Sequence, residues 1–263
     1  MLDQAATREA ASLLLNCWQA HRTMPMLPQH CRPVSRSDGY AIQGDMLKLS
    51  GRRRYGWKIA ATSSAGQSHI GVDGPLAGMI HATQVIQEGI AVPIGRSLMK
   101  VAELEFAFRM RTTLAPRAEP YRTDEVIAAV DSLHPAIEIP DSRYDDFARA
   151  GAAQLIAENA CADRFMLGKA CPADWRTLDL STHPVAITVT GHAPLTGIGS
   201  NVLGDPRVAL TWIANELSAH GLSLEAGEVV TTGTCAIPIA VAPGIQIEAD
   251  YGVLGRIAAR FVE

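Results

Sequence analysis

The chain has 263 residues, 48% of them hydrophobic and 19% charged, with a mean hydropathy of +0.08. That balance excludes a disordered chain, and no apolar run approaches the roughly 20 residues of a membrane span. The net charge of −4, from 23 Lys+Arg against 27 Asp+Glu, argues against a nucleic-acid partner, which calls for a basic face.

The length suits one large domain or two small ones. Residues 3–22 read as a helix, because Ala6, Ala10, Leu13, Leu14, Cys17 and Trp18 form one apolar stripe at three- and four-residue steps. Residues 24–34 carry Pro25, Pro28 and Pro33 and read as an extended connector. Ser37 to Leu49 reads as a second helix, stopped near Gly51, and Arg52-Arg53-Arg54 reads as a solvated turn before a strand. From there the texture is β-rich: YGWKIAATS, ELEFAFRMRT, PAIEIPDS, VAITVTG, EVVTTGT and IQIEAD are short runs parted by Gly or Pro. Helices are expected between them at Thr123–Ser132, Ala148–Asn159 and Pro206–His220. The last has a cap in Asp205, Pro206 in its first turn, and Gly221 to end it. Two helices followed by strands with inserted helices make an α+β chain. We divide it into an N-terminal helical segment, 1–55, and a catalytic domain, 56–263, folding together as one unit.

Several chemistries lack their motifs. There is no G-x-x-x-x-G-K-[ST], no G-x-G-x-x-G after a strand, no G-x-S-x-G and no H-E-x-x-H. Cys17, Cys31, Cys161, Cys171 and Cys235 are odd in number and include no C-x-x-C, so neither a disulfide framework nor a zinc ribbon is indicated. The N-terminus lacks the charge-then-apolar order of a signal peptide, and with unpaired thiols this points to the cytoplasm.

In Glu103-Leu104-Glu105-Phe106-Ala107-Phe108-Arg109-Met110 the alternation is strict. The apolar members share one face, and Glu103, Glu105, Ala107 and Arg109 share the other. The two carboxylates then stand roughly 6–7 Å apart along the strand. At an effective dielectric near 20 they repel by roughly 2–3 kcal/mol. Bulk water would relieve this, and so would a divalent cation. An ordinary solvated strand face, balanced by Arg109, is the alternative. Glu138, between Ile137 and Ile139, is placed on the same kind of surface. Three carboxylates from two strands make an all-oxygen site that favours Mg²⁺, Mn²⁺ or Ca²⁺. Lys58 lies between Trp57 and Ile59, an odd place for an exposed lysine, though a snorkelling stem would also account for it. Asp73 sits in the turn sequence Gly71-Val72-Asp73-Gly74-Pro75, more often a plain turn. Thr231-Thr232-Gly233-Thr234 ends a β-rich run, and N–H groups at such a turn can hold a carboxylate.

Taken in order, GYAIQ (39–43), GWKIAATS, GVDGP, E-x-E-F-A-F, PAIEIPDSR, NVLGDP, EAGEVVTTGT and APGIQIEADYG resemble the fumarylacetoacetate hydrolase superfamily over nearly the whole chain. The closest likeness is to its 2-keto-4-pentenoate hydratase and 4-oxalocrotonate decarboxylase branch. The resemblance implies a mixed, rolled β-sheet core with helices around it. It implies Mg²⁺ or Mn²⁺ on Glu103, Glu105 and Glu138, and no organic cofactor. It implies a 2-oxo or 2-hydroxy-dienoic acid substrate, with Lys58 and Asp73 as the catalytic groups and Thr234 for the substrate carboxylate. The reaction implied is hydration of a 2-hydroxy-2,4-dienoate in aromatic catabolism. Decarboxylation of a 4-oxalocrotonate-like acid and C–C hydrolysis of an acylpyruvate are alternatives. His21 and His30 fall where hydrolases of the superfamily keep a His–Glu pair, but neither has an acid beside it in sequence. A homo-oligomer is expected, with a pathway aldolase or decarboxylase as a candidate partner. The chain departs from the branch in Thr62-Ser63-Ser64, where a second lysine is usual, and in Thr232-Gly233-Thr234-Cys235, where S-G-S is commoner.

Overall fold

A computed structural model describes residues 1–263. In chain order the elements are α1 (Gln4–Ala20), α2 (Arg36–Ser50), β1 (Arg54–Ala60), α3 (Ser64–Ile70), β2 (Leu76–His81), β3 (Val85–Ile86), β4 (Val92–Pro93), β5 (Val101–Met110), α4 (Thr123–Ala128) and β6 (Val130–Ile139). They continue with α5 (Ala152–Ala157), β7 (Arg164–Leu167), β8 (Pro184–Val189), β9 (Leu195–Ile198), α6 (Pro206–Ala219), β10 (Val229–Thr234), β11 (Ile239–Ala240), β12 (Gln246–Asp250) and β13 (Arg256–Val262). No helix is long and apolar enough to cross a membrane.

The helix ends follow local chemistry. The Asp3 carboxylate accepts from the N–H of Ala6 to start α1. Ser35 and Asp38 form a reciprocal capping box on α2, and Gly51 closes it in the left-handed region. Asp205 caps α6 with Pro206 in its first turn. Two expected helices are shorter than read. The first stops at Ala128 because Val130 opens β6, so Ser132 is strand. The second begins after Gly151, whose φ of 80° breaks the run. The short, wholly exposed-to-intermediate α3 has no apolar stripe to announce it.

The larger sheet runs β2-β1-β10-β5-β6-β7-β3, with β11 alongside β5. It is mixed: β1 with β10 and β3 with β7 are parallel, and the other pairs are antiparallel. One face, carrying Trp57, Ile59, Leu104, Phe106, Phe108, Leu133 and Ile137, belongs to the main core. The opposite face is the inside of the roll, where Ile80, Ala107, Ala136, Phe165 and Val229 make a small separate cluster. A second sheet, β4-β13-β12-β8-β9, turns its buried side to the main core. There Tyr251 meets Phe106 edge to face, with ring centroids 5.3 Å apart. This is the α+β, rolled mixed-sheet architecture read from the sequence.

The N-terminal helices share that main core through Ala10, Leu14, Ile42 and Met46. Trp18 of α1 lies against the guanidinium of the fully buried Arg143, which is ion-paired to Asp141. The N–H of Leu27 donates to Gln154 of α5, 127 residues further on. Arg54 is not part of a solvated turn: it opens β1, pairs with Glu228 and covers Trp57, while Arg52 and Arg53 are exposed.

Gly56 is the tightest contact in the sheet. A Cβ there would stand 1.8 Å from the carbonyl oxygen of Val229 on β10. Backbone cannot yield as a side chain can, so Gly56→Ala is expected to cost about 3 kcal/mol. A thermal melt should show Tm falling by roughly 6–12 °C. An unchanged Tm would mean that β1 and β10 are not paired as described.

Candidate metal and active site

The inner face of the roll gathers the charged residues. Antiparallel pairing places Glu103 of β5 directly opposite Glu138 of β6, with Glu105 opposite Ala136. Like charges in direct opposition destabilise a sheet unless something offsets them. One oxygen from each of Glu103, Glu105 and Glu138 lies within 4.8 Å of the others. Glu105 and Glu138 are buried and Glu103 is half-buried, so this face is not an ordinary solvated strand.

Each carboxylate is only partly satisfied. Glu105 Oε2 accepts from the Thr231 hydroxyl at 2.5 Å and from the Gly233 N–H at 2.6 Å. The second contact needs a break in register, for Thr231 faces Ala107 while Thr234 faces Glu105, leaving one extra residue in β10. Gly233 turns there with φ 97°, and a Cβ would stand 2.1 Å from Thr62 Oγ1. So the T-T-G-T turn does hold a carboxylate, and that carboxylate is the protein's own Glu105. Tyr251 from the second sheet donates to the main-chain oxygen of Glu105 at 3.0 Å. Glu105 Oε1 and both oxygens of Glu138 are buried and accept no hydrogen bond.

Lys58 completes the group. It is 2% exposed, which rules out a snorkelling stem. Its Nζ donates to the carbonyl of Ala160 at 3.0 Å and lies 3.4 Å from Glu138 Oε2. Burial alone would lower the Lys58 ammonium, but Glu138, and behind it Glu103, hold it above its ordinary value. One ammonium cannot neutralise three carboxylates. Burial, with the Glu103 charge adding to it, pushes Glu105 up to about 7, against the opposing pull of Lys58 and its hydrogen bonds. Burial likewise raises Glu138.

The donor set fits a hard divalent cation. Three inward oxygens without hydrogen bonds, all from carboxylates, in a cluster that includes no sulfur or imidazole, match the ligand preference of Mg²⁺ or Mn²⁺.

Asp73 and Thr234 are placed differently. Asp73 lies on an exposed bend between α3 and β2 and makes no hydrogen bond or ion pair. Thr234 stands beside Glu105 in the ladder, and its hydroxyl donates to the Ala236 carbonyl at 2.7 Å. His30 finds an acid in space that the sequence did not show: its Nε2 is 3.0 Å from Glu9, but both side chains are largely exposed and stand apart from the three carboxylates. Thr231, Tyr251 and Ala160 were not singled out from sequence. Thr231 alone had a signal, the hydroxyl-rich run in which it stands.

No family model matches the chain. The 4-oxalocrotonate decarboxylase of Pseudomonas putida is 32% identical over 230 residues, spanning 86% of this chain and 85% of that protein. The chain belongs to the hydratase and decarboxylase branch of the fumarylacetoacetate hydrolase superfamily. A 2-keto-4-pentenoate hydratase of Burkholderia vietnamiensis is 30% identical over the full length of both chains. The solved 4-oxalocrotonate decarboxylase of Pseudomonas putida G7, complexed with magnesium and adipate, superimposes with a TM-score of 0.89 at 26% identity, covering 100% of this chain and 99% of that one. The protein is thus a lyase of a branch in which divalent metal is bound.

The buried carboxyls make metal-free stability depend on pH. A carboxyl whose folded pKa exceeds its unfolded value stabilises the fold at low pH, and that contribution is lost as pH rises through the folded value. Burial puts both Glu105 and Glu158 at about 7. His81, pushed down to about 4 by burial, acts in the opposite sense only below its ordinary 6.5. Metal-free Tm should therefore fall from about pH 6.5 to about pH 8. Mg²⁺, which binds ionised carboxylates, should raise Tm more at the upper end. Thermal melts in EDTA and in Mg²⁺ check this; a Mg²⁺ shift that is the same at both ends would contradict it.

Proposed function

We propose that this lyase adds water to a 2-hydroxy-2,4-dienoate, giving a 4-hydroxy-2-oxo acid, with Mg²⁺ or Mn²⁺ held by Glu103, Glu105 and Glu138. The observation that carries the reading is the set of inward carboxylate oxygens without hydrogen bonds, closed on one side by a buried ammonium. A divalent cation held there by Glu103, Glu105 and Glu138 would supply Lewis acidity that favours enolate charge on the substrate.

The chain's own residues then manage protons. Hydration needs the 2-hydroxyl proton removed and a proton delivered to C5, the far end of the diene. The resulting 2-oxo-3-ene is electrophilic at C4 by conjugation, where water adds as C3 takes a proton. Lys58 Nζ, kept charged by its carboxylate neighbours, is the proton donor in this scheme. Asp73, on the exposed bend before β2, is the second candidate. Thr234 is assigned to the substrate carboxylate, in exchange for its bond to Ala236.

Loss of a distal carboxylate from a 4-oxalocrotonate-like acid passes through the same kind of enolate. The 32% identity to a decarboxylase keeps that reaction as the second reading. We further propose that the enzyme is a cytoplasmic homo-oligomer, open to association with an aldolase or decarboxylase acting on neighbouring intermediates.

Product mass after turnover of 2-hydroxypenta-2,4-dienoate and of 4-oxalocrotonate with Mg²⁺ separates the two reactions. Gain of one water from the first substrate is expected; turnover of the second alone would select decarboxylation. Lys58→Ala should lower kcat by roughly 10²–10⁴ with Mg²⁺ affinity retained. Glu105→Ala should weaken Mg²⁺ binding and be partly rescued by excess metal. A Lys58→Ala enzyme as active as wild type would remove the assigned role.

A further inference from the structure

The geometry points to Asn159 as the residue that positions the Lys58 ammonium, acting through the carbonyl of its neighbour Ala160. This rests on the reading of Lys58 as the proton donor. The hydrogen bond from Lys58 Nζ to Ala160 is the shorter of its two polar contacts, 3.0 Å against 3.4 Å to Glu138. The direction of that carbonyl is therefore part of the site.

The carbonyl comes from an unusual stretch of backbone. Asn159, Ala160 and Cys161 have φ of 81°, 50° and 60°, and none is glycine. L residues with side chains seldom enter the left-handed region, and three in succession persist only if the surroundings hold them. Asn159 supplies one clamp. Its Oδ1 accepts from the N–H of Met79 and its Nδ2 donates to the carbonyl of Met79, both at 2.6 Å. One side-chain amide thus answers both main-chain groups of a single β2 residue, as a neighbouring strand would. Gly78 makes the approach possible, for a Cβ there would stand 2.2 Å from the Asn159 carbonyl oxygen. Gly78 is also the ladder partner of Lys58.

The second clamp comes from the segment that follows Glu138. Glu158 accepts from the Ser142 hydroxyl and the Arg143 N–H, each at 2.7 Å, and the Asp141 N–H donates to the carbonyl of Cys161 at 2.9 Å. The turn is therefore fixed at one end to the strand beside Lys58 and at the other to the chain leaving Glu138. Both polar partners of the ammonium are set by one frame. An amide suits position 159 because it offers a donor and an acceptor together; a carboxylate would lose the donor.

A double-mutant cycle tests this, using kcat, KM and calorimetric Mg²⁺ affinity on folded enzyme. Asn159→Gly tolerates the backbone conformation but removes the clamp to Met79. It should lower kcat by roughly 10- to 100-fold, the effect of a reacting group displaced by about 1 Å. KM and Mg²⁺ affinity should hold within about twofold, since the carboxylates are untouched. In a Lys58→Ala background the same change should have no further effect on kcat, because the two residues act as one. Asn159→Asp keeps the acceptor for Met79 and serves the same cycle if the glycine variant does not fold. Unchanged kcat in the single variant, or an equal loss in both backgrounds, would overturn the inference. Wild-type kcat in Lys58→Ala would instead overturn the proton-donor reading on which it rests.

Discussion

Three carboxylates share the inside of a rolled sheet with a single ammonium, and much of the surrounding structure answers that charge imbalance. With one oxygen of each within 4.8 Å of the others, each pair of unit charges repels by at least roughly 3 kcal/mol at an effective dielectric near 20. The bulge in β10 exists where it turns a main-chain N–H onto Glu105. Gly233 stands where that turn needs a positive φ and where Thr62 leaves no room for a Cβ. Tyr251 reaches across from the second sheet to hold the same strand segment. Together these features fix the direction of the Glu105 carboxylate before any ligand arrives.

The two faces of the larger sheet divide the work. Outward, large apolar side chains join the helices and the second sheet in one core. Inward, the small residues Ala107 and Ala136 pack with Ile80, Phe165 and Val229, Ala136 standing opposite Glu105 in the ladder. The alternation E-L-E-F-A-F-R-M writes both roles into one strand, which made it the most legible segment in the chain. Lys58 was legible for a similar reason, since a lysine between Trp57 and Ile59 is out of place unless something polar waits beneath it.

What escaped the sequence was whatever depends on two distant segments meeting. The opposition of Glu103 and Glu138 is a matter of register, which no single strand specifies. The helix expected over 148–159 shrank to six residues because Gly151 breaks its start and its end peels into left-handed backbone clamped by Met79 and Ser142, partners invisible from the local sequence. An Asn at a helix end is ordinary, so nothing marked Asn159 beforehand. Asp73 was read from a turn, and a turn places a side chain only loosely.

The bond between Leu27 and Gln154 also bears on how the chain is made. The N-terminal segment leaves the ribosome first, yet this partner lies 127 residues downstream. At about 5–20 residues per second that interval lasts roughly 6–25 s. During it α1 can pack on α2, its main neighbour, but α5, which packs against α2, has not been synthesised. Contacts of such long sequence separation form late and slow the search for the native topology. The nascent chain therefore carries a helix pair whose α5-facing side stays open until Ala157 has been made, and that distant segment, rather than any local event, is what finally covers it.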